Sequence, residues 1–156
     1  MKPNRYAPLL LVLFACSPEP EPVPAFEPVA DVKQLMSTIL EPAAEVYWDA
    51  VGWIIDAKGT TELKPANAEE WAAVRNAAFV MAETGNLLMM KGRAPDNDAW
   101  MAMSKQMIEV SKRAIAAADA RDPDAVFTVG GDVYEACTAC HARYAVGTLR
   151  PSHSGQ

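Results

Sequence analysis

From Met36 to Tyr144 the apolar side chains recur at three- and four-residue steps, and this regularity excludes most ways of folding the chain. In the first run, Met36, Ile39, Leu40, Ala43, Tyr47, Ala50 and Ile54 fall on one helical stripe. Pro42 predicts a kink or restart within it, and Lys58-Gly59 its close. The second run opens at Asn67, with Glu70 placed three residues later as in a capping box. It carries Trp71, Val74, Ala78, Met81, Gly85 and Leu88 toward Gly92. The third starts at Asp96 or Asp98, aligns Trp100, Met103, Met107, Val110, Ala114 and Ala117, and stops near Arg121. Asp122-Pro123 then restarts the chain with an N-cap and a proline at the first helical position. The fourth stripe is Val126, Val129, Val133, Cys137, Cys140 and Tyr144. Gly130-Gly131 interrupts it at about 1 kcal/mol per glycine relative to alanine, a cost that a closely packed helix or flat ligand offsets. Strand alternation is nearly absent. The expected fold is all-α: four helices, each roughly 30 Å long, in an antiparallel up-down-up-down bundle.

What precedes the periodic region reads as targeting. Lys2 and Arg5 give a positive start, and Leu9 to Ala15 an apolar run too short for a bilayer span of roughly 20 residues. Leu13-Phe14-Ala15-Cys16 resembles the lipobox of bacterial lipoproteins. That resemblance implies removal of residues 1–15 and acylation of Cys16; an ordinary cleaved signal peptide with an incidental Cys16 is the alternative. Ser17 after the cysteine, rather than Asp, favours the outer membrane by the same resemblance. Residues 16–28 alternate Pro and Glu and form a tether in extended polyproline conformation. The domain proper is expected over 29–147, with a polar tail over 148–156. Loss of Lys2 and Arg5 takes the formal charge from −6 to −8. With no basic cluster, nucleic acid is excluded as a partner.

The chemistry-bearing residues are few: three cysteines and two histidines. Cys137-Thr138-Ala139-Cys140-His141 is a C-x-x-C-H motif, for which zinc, dithiol redox cycling and haem attachment are the candidate uses. A structural zinc site needs four ligands; here the remaining candidate is His153, in the tail, and Cys140 and His141 are adjacent. A redox C-x-x-C sits at a helix N-terminus after a strand, where the dipole lowers the thiol pKa. This pair lies near the far end of a helix. A disulfide three residues apart on one helix closes a strained, very short loop. Covalent haem attachment needs two thiols on one helical turn to form thioethers with the porphyrin vinyl groups, followed by a histidine for the iron. The cysteine count then closes, with one for the lipid and two for the porphyrin.

With C-x-x-C-H in the last helix and a tyrosine three residues beyond its histidine, the chain resembles the class II c-type cytochromes over residues 30–147. These comprise cytochrome c-prime and its low-spin, six-coordinate relatives. The resemblance implies one covalent haem c, with Cys137 and Cys140 as anchors and His141 as proximal ligand. It also implies a distal residue on the first helix, which in the low-spin relatives is a methionine. Lys33-Gln34-Leu35-Met36 brings Met36 one residue nearer the glutamine than the family pattern. The distal residue is thus either Met36 or, leaving the iron open, Ile39. Met89, Met90, Met101 and Met103 are further methionine candidates. Trp48, Trp53, Trp71 and Trp100 are expected as core or haem-packing aromatics, and Lys33 and Arg143 as surface charges or propionate partners.

Histidine–methionine ligation makes an electron carrier. No spare histidine is present for distal acid–base chemistry, so an enzyme is not expected. The leading expectation is a membrane-tethered, periplasm-facing carrier. Its partners are redox proteins in the periplasm or membrane, with association weakened by salt, and it could form a homodimer. The alternatives are a five-coordinate haem protein binding nitric oxide or carbon monoxide, and a non-haem structural lipoprotein.

Overall fold

Asp31 opens the first helical arm with a reciprocal cap. Its Oδ1 accepts from the Gln34 N–H at 2.7 Å, and Gln34 Oε1 accepts from the Asp31 N–H at 3.0 Å. The arm comprises α1 (Val32–Leu35), a π-helical turn (Met36–Leu40) and α2 (Glu41–Trp48). The wide turn has a local cause. Pro42 has no N–H to donate to the carbonyl four residues back, and its ring crowds that carbonyl. The Glu41 N–H donates instead to the Met36 carbonyl, five residues back. Leu35 and Leu40, five apart, are consequently both buried. The computed structural model describes residues 26–145. The expected signal peptide, Cys16, most of the tether and residues 146–156 (His153 included) lie outside them.

The first departure from expectation follows α2. The apolar stripe does not continue helically to Ile54, and the fold is not all-α. Gly52–Asp56 forms β1 and Gly59–Leu63 forms β2, an antiparallel hairpin with Trp53 opposite Glu62 and Ile54 opposite Thr61. Lys58-Gly59, read as a helix stop, belongs to its turn. Asp56 Oδ1 accepts from the Lys58 N–H at 2.8 Å, and Gly59 takes φ +128°, which side-chain-bearing residues rarely adopt. Ile54-Ile55 and Thr60-Thr61 are β-branched, the composition a pleated ribbon favours. Trp53 is correspondingly not a core residue. It is 51% exposed and meets Phe127 edge-on at 5.1 Å.

The three long helices follow the sequence closely. Asn67 caps α3 (Ala68–Leu88), its side chain accepting from the Glu69 and Glu70 N–H groups. For α4 (Ala99–Asp119), Asp98 stands at the cap position and Asp96 supplies the side-chain acceptor, taking the Asp98 and Trp100 N–H groups at 3.0 Å each. Asp122 caps α5 (Pro123–Tyr144) by accepting from the Ala125 N–H. The short Ala120–Asp122 connection turns the chain back, with Arg121 at φ +51°.

The protein is therefore mostly helical, with one small two-stranded sheet. α4 packs between α3 and α5, and α2 closes the circuit by touching both of those helices. Tyr47, Val74, Ala78, Met81, Val126 and Val133 fill the centre. Close approach is built in at Gly85, where a Cβ would lie 2.5 Å from Ile108 Cγ1 and 2.9 Å from the Ser104 carbonyl oxygen. A second, smaller cluster of Leu35, Leu88 and Trp100 gathers at the end where α1 begins.

Candidate functional site

Between the first arm, α4 and the last turns of α5 lies a cleft of about 340 Å³. This falls within the roughly 300–1,000 Å³ usual for small-molecule and cofactor sites. Cys137, Cys140 and His141 line it from α5, and Met36, Leu40, Ala44 and Trp48 from the first arm. Met103, Ser104 and Met107 line it from α4. The motif's three chemistry-bearing side chains and Met36, more than 100 positions apart in the chain, thus share one largely apolar cleft. Ile39 does not line it. That side chain packs with Leu35, Leu88 and Trp100, as does Met101. Of the further methionines raised by the sequence, Met103 reaches the cleft; Met89, Met90 and Met101 are not among its lining residues.

The thiols are half-buried and not joined to one another. Burial, and secondarily the neighbouring Cys140, pushes the Cys137 thiol up to about 11; burial also raises Cys140. Both therefore stay protonated at neutral pH, unlike the low-pKa thiolates of disulfide oxidoreductases. Their place near the C-terminal end of α5 fits this, because the helix dipole there opposes negative charge. Among the described residues, no group of three or more His, Cys, Asp or Glu side chains gathers as metal donors. Two thiols on one turn, an imidazole beside them, and apolar walls around them form a donor set suited to a flat, hydrophobic, iron-bearing macrocycle. The residues present fit haem.

Two anchors hold the walls. The first is Trp48, whose indole Nε1 donates to the Gly130 carbonyl at 2.9 Å. A Cβ on residue 130 would stand 3.1 Å from Trp48 Cδ1. The glycine pair thus serves close helix approach at its first member, whereas Gly131 faces open space. Tyr134, one turn before the motif, meets Trp48 edge-on at 6.2 Å. The second anchor is Tyr144. Its hydroxyl donates to Asp96 Oδ2 at 2.5 Å, and its ring meets Trp100 edge-on at 5.0 Å. Trp100 Nε1 in turn donates to the carbonyl of Leu88, a cleft residue. The hydrogen bond from Tyr144, first, and then that from the Trp100 N–H hold the Asp96 carboxyl below its usual range. The last turn of α5, bearing His141, is thereby fastened to the segment before α4.

Several contributors were not legible beforehand. Met107 and Leu88 read as ordinary stripe residues, and Ser104 and Glu41, which also line the cleft, carry no sequence signal. Lys33 is exposed, and the Arg143 guanidinium lies 5.6 Å from the Tyr144 ring centre. Trp71 and Trp100 are buried core. No protein-family model, curated protein or solved structure matches the chain. Among the described residues, no helix is long and apolar enough to cross a membrane.

Proposed function

We propose that the chain is a class II c-type cytochrome, an exported, lipid-tethered electron carrier built on an antiparallel four-helix bundle to which the hairpin is an addition. The observation that carries this reading is the convergence of Cys137, Cys140 and His141 with Met36 on a single apolar cleft. In it, Cys137 and Cys140 anchor one haem c, His141 is the proximal ligand and Met36 the distal one. Haem held by these residues would supply one-electron transfer. The chain's own residues do the rest. Leu40, Ala44 and Met107 exclude water, Trp48 is held against α5, and the Asp96–Tyr144 bond steadies the turn that carries His141. Half-buried thiols near the far end of α5, away from any helix N-terminus, disfavour redox cycling.

Cys16 acylation and the Pro/Glu tether place the carrier at the periplasmic face of a bacterial membrane, near its redox partners. Its acidic surface favours partners with complementary basic patches, with association that weakens as salt rises.

Optical spectra of the holoprotein test the reading. The expected result is a low-spin ferrous spectrum that becomes high-spin in Met36→Ala, with a lower reduction potential. A high-spin spectrum insensitive to that substitution transfers the assignment to an open-site, gas-binding haem protein. Mass spectrometry of the exported chain showing no added porphyrin mass would overturn both.

A further inference from the structure

The hairpin is hard to account for as part of the helical core. A lone two-stranded ribbon is marginal in water, yet β1 puts three successive large apolar residues on its surface. Trp53 is 51% exposed, Ile54 49% and Ile55 79%. The sheet has two strands, so the outer edge of β1 carries no strand partner among the described residues. Natural edge strands are ordinarily protected by an inward charge, a lysine, a proline or a bulge. Gly52-Trp53-Ile54-Ile55 has none of these, and its first charge is Asp56 at the turn.

We propose that this edge is the interface between two copies of the chain, with β1 pairing antiparallel to β1 of the second copy about a two-fold axis through Ile54. The interface is independent of what the cleft binds. Three observations favour a second copy. The first is self-complementarity. A register centred on Ile54 sets Trp53 opposite Ile55 of the second copy, and Ile55 opposite its Trp53. This gives two aromatic–β-branched cross-strand pairs, a favourable kind. The second is charge. The same register sets Asp56, the one charged residue of β1, opposite an uncharged Gly52 of the second copy, so no like charges face each other along the strand.

The third is area. Taking about 200 Å² for a large side chain, the exposed fractions of Trp53, Ile54, Ile55 and Phe127 (53%) sum to about 460 Å² per copy. Two copies thus offer at most about 900 Å² from these side chains, which with the paired backbone edges comes near the roughly 1,000 Å² a specific interface requires.

Site-directed cross-linking in the cell envelope tests the pairing. Residues directly opposite on antiparallel strands have Cα atoms about 4.5–5.5 Å apart, within disulfide reach. Oxidised Ile54→Cys should therefore run at twice the protomer mass on non-reducing gels. Thr61→Cys, on β2, should stay at protomer mass, as should the unsubstituted chain. Sedimentation of the full exported chain carrying Cys16→Ser, to remove lipid-driven association, should give a dimer. That dimer should be lost on adding Ile54→Lys while the far-UV circular dichroism stays unchanged. A protomer mass at the highest soluble concentration would overturn the proposal, as would equal cross-linking at Thr61. So would Trp53-dependent binding to phospholipid vesicles in the absence of any dimer.

Discussion

Two adjacent glycines on one helix should respond to the same substitution with opposite signs. In a helix interior, Gly→Ala is worth about 1 kcal/mol in propensity. At Gly131 nothing among the described residues lies within 4 Å of the added methyl, so Gly131→Ala should realise that gain and stabilise the fold by about 1 kcal/mol. At Gly130 the methyl would stand 3.1 Å from Trp48 Cδ1, 3.5 Å from its Nε1 and 3.8 Å from Tyr47 Cε1. The indole has little freedom to retreat, because its Nε1 is bonded to the carbonyl of residue 130 itself and its ring abuts Tyr134. Moving it weakens a hydrogen bond worth about 1 kcal/mol and adds overpacking strain of about 1 kcal/mol or more. Set against the propensity gain, Gly130→Ala should destabilise by about 1 kcal/mol, separating the two variants by about 2 kcal/mol. Urea denaturation followed by far-UV circular dichroism measures both, as a shift in midpoint at unchanged slope. Placing Gly130→Ala in a Trp48→Phe background removes the indole edge and should restore most of the gain. If Gly130→Ala stabilises the otherwise unaltered chain as much as Gly131→Ala does, the seating of Trp48 on α5 is refuted.

Tyr47 is fully buried and its hydroxyl has no hydrogen-bond partner among the described residues. Tyr47→Phe should therefore relieve an unsatisfied group and stabilise by about 1 kcal/mol in the same denaturation assay, whereas a comparable loss would reveal a hidden partner. Asp96 has a folded pKa depressed by Tyr144 and Trp100, so its contribution is complete above the unfolded carboxyl value of about 3.9 and is lost as pH falls through the folded value. Asp96→Asn should accordingly lower the urea midpoint at neutral pH and converge with the unsubstituted protein in acid. A deficit that does not shrink below about pH 4 would show that the carboxylate charge is not the relevant feature. In the holoprotein, Tyr144→Phe should loosen the turn bearing His141 and broaden the low-spin spectrum, with Asp96→Asn adding little to that change. Additive spectral effects of the two would separate them into independent contacts.

The long helices were legible because their signals are local. Asn67, Asp122-Pro123 and the three- and four-residue apolar steps each act within one or two turns, and α3 and α5 begin where those residues stand. The hairpin was not, because Ile54 continues the stripe of the first arm in phase and apolar periodicity alone does not say where a helix stops. The punctuation was present at Gly52 and in Asp56-Ala57-Lys58-Gly59, and the β-branched pairs at 54–55 and 60–61 agreed with it. The motif at 137–141 was legible as chemistry, since it needs only one turn of one helix. Its surroundings were not. Ser104, Met107 and Glu41 reach the cleft through tertiary packing that no short spacing encodes.

The distal position shows how a local rule acts at a distance. Counted along a regular α-helix, the spacing from Gln34 leaves Met36 and Ile39 as rivals, and nothing in the stripe decides between them. Pro42 alters the count. By refusing the hydrogen bond to the carbonyl four residues back, it makes room for the π turn over Met36–Leu40. Leu40 at the end of that turn, and Ala44 and Trp48 beyond it, line the cleft with Met36; Met36 also touches the Leu35, Leu88 and Trp100 cluster, against which Ile39 packs without reaching the cleft. A residue lacking a backbone donor thus widens the turn on which Met36 and Ile39 both sit, and of the two only Met36 lines the cleft with His141. The π turn starts at Met36 and leaves the shortened spacing from Gln34 unchanged, so the case for Met36 as distal ligand rests on its place in the cleft, and a low-spin spectrum lost in Met36→Ala is what would bear it out.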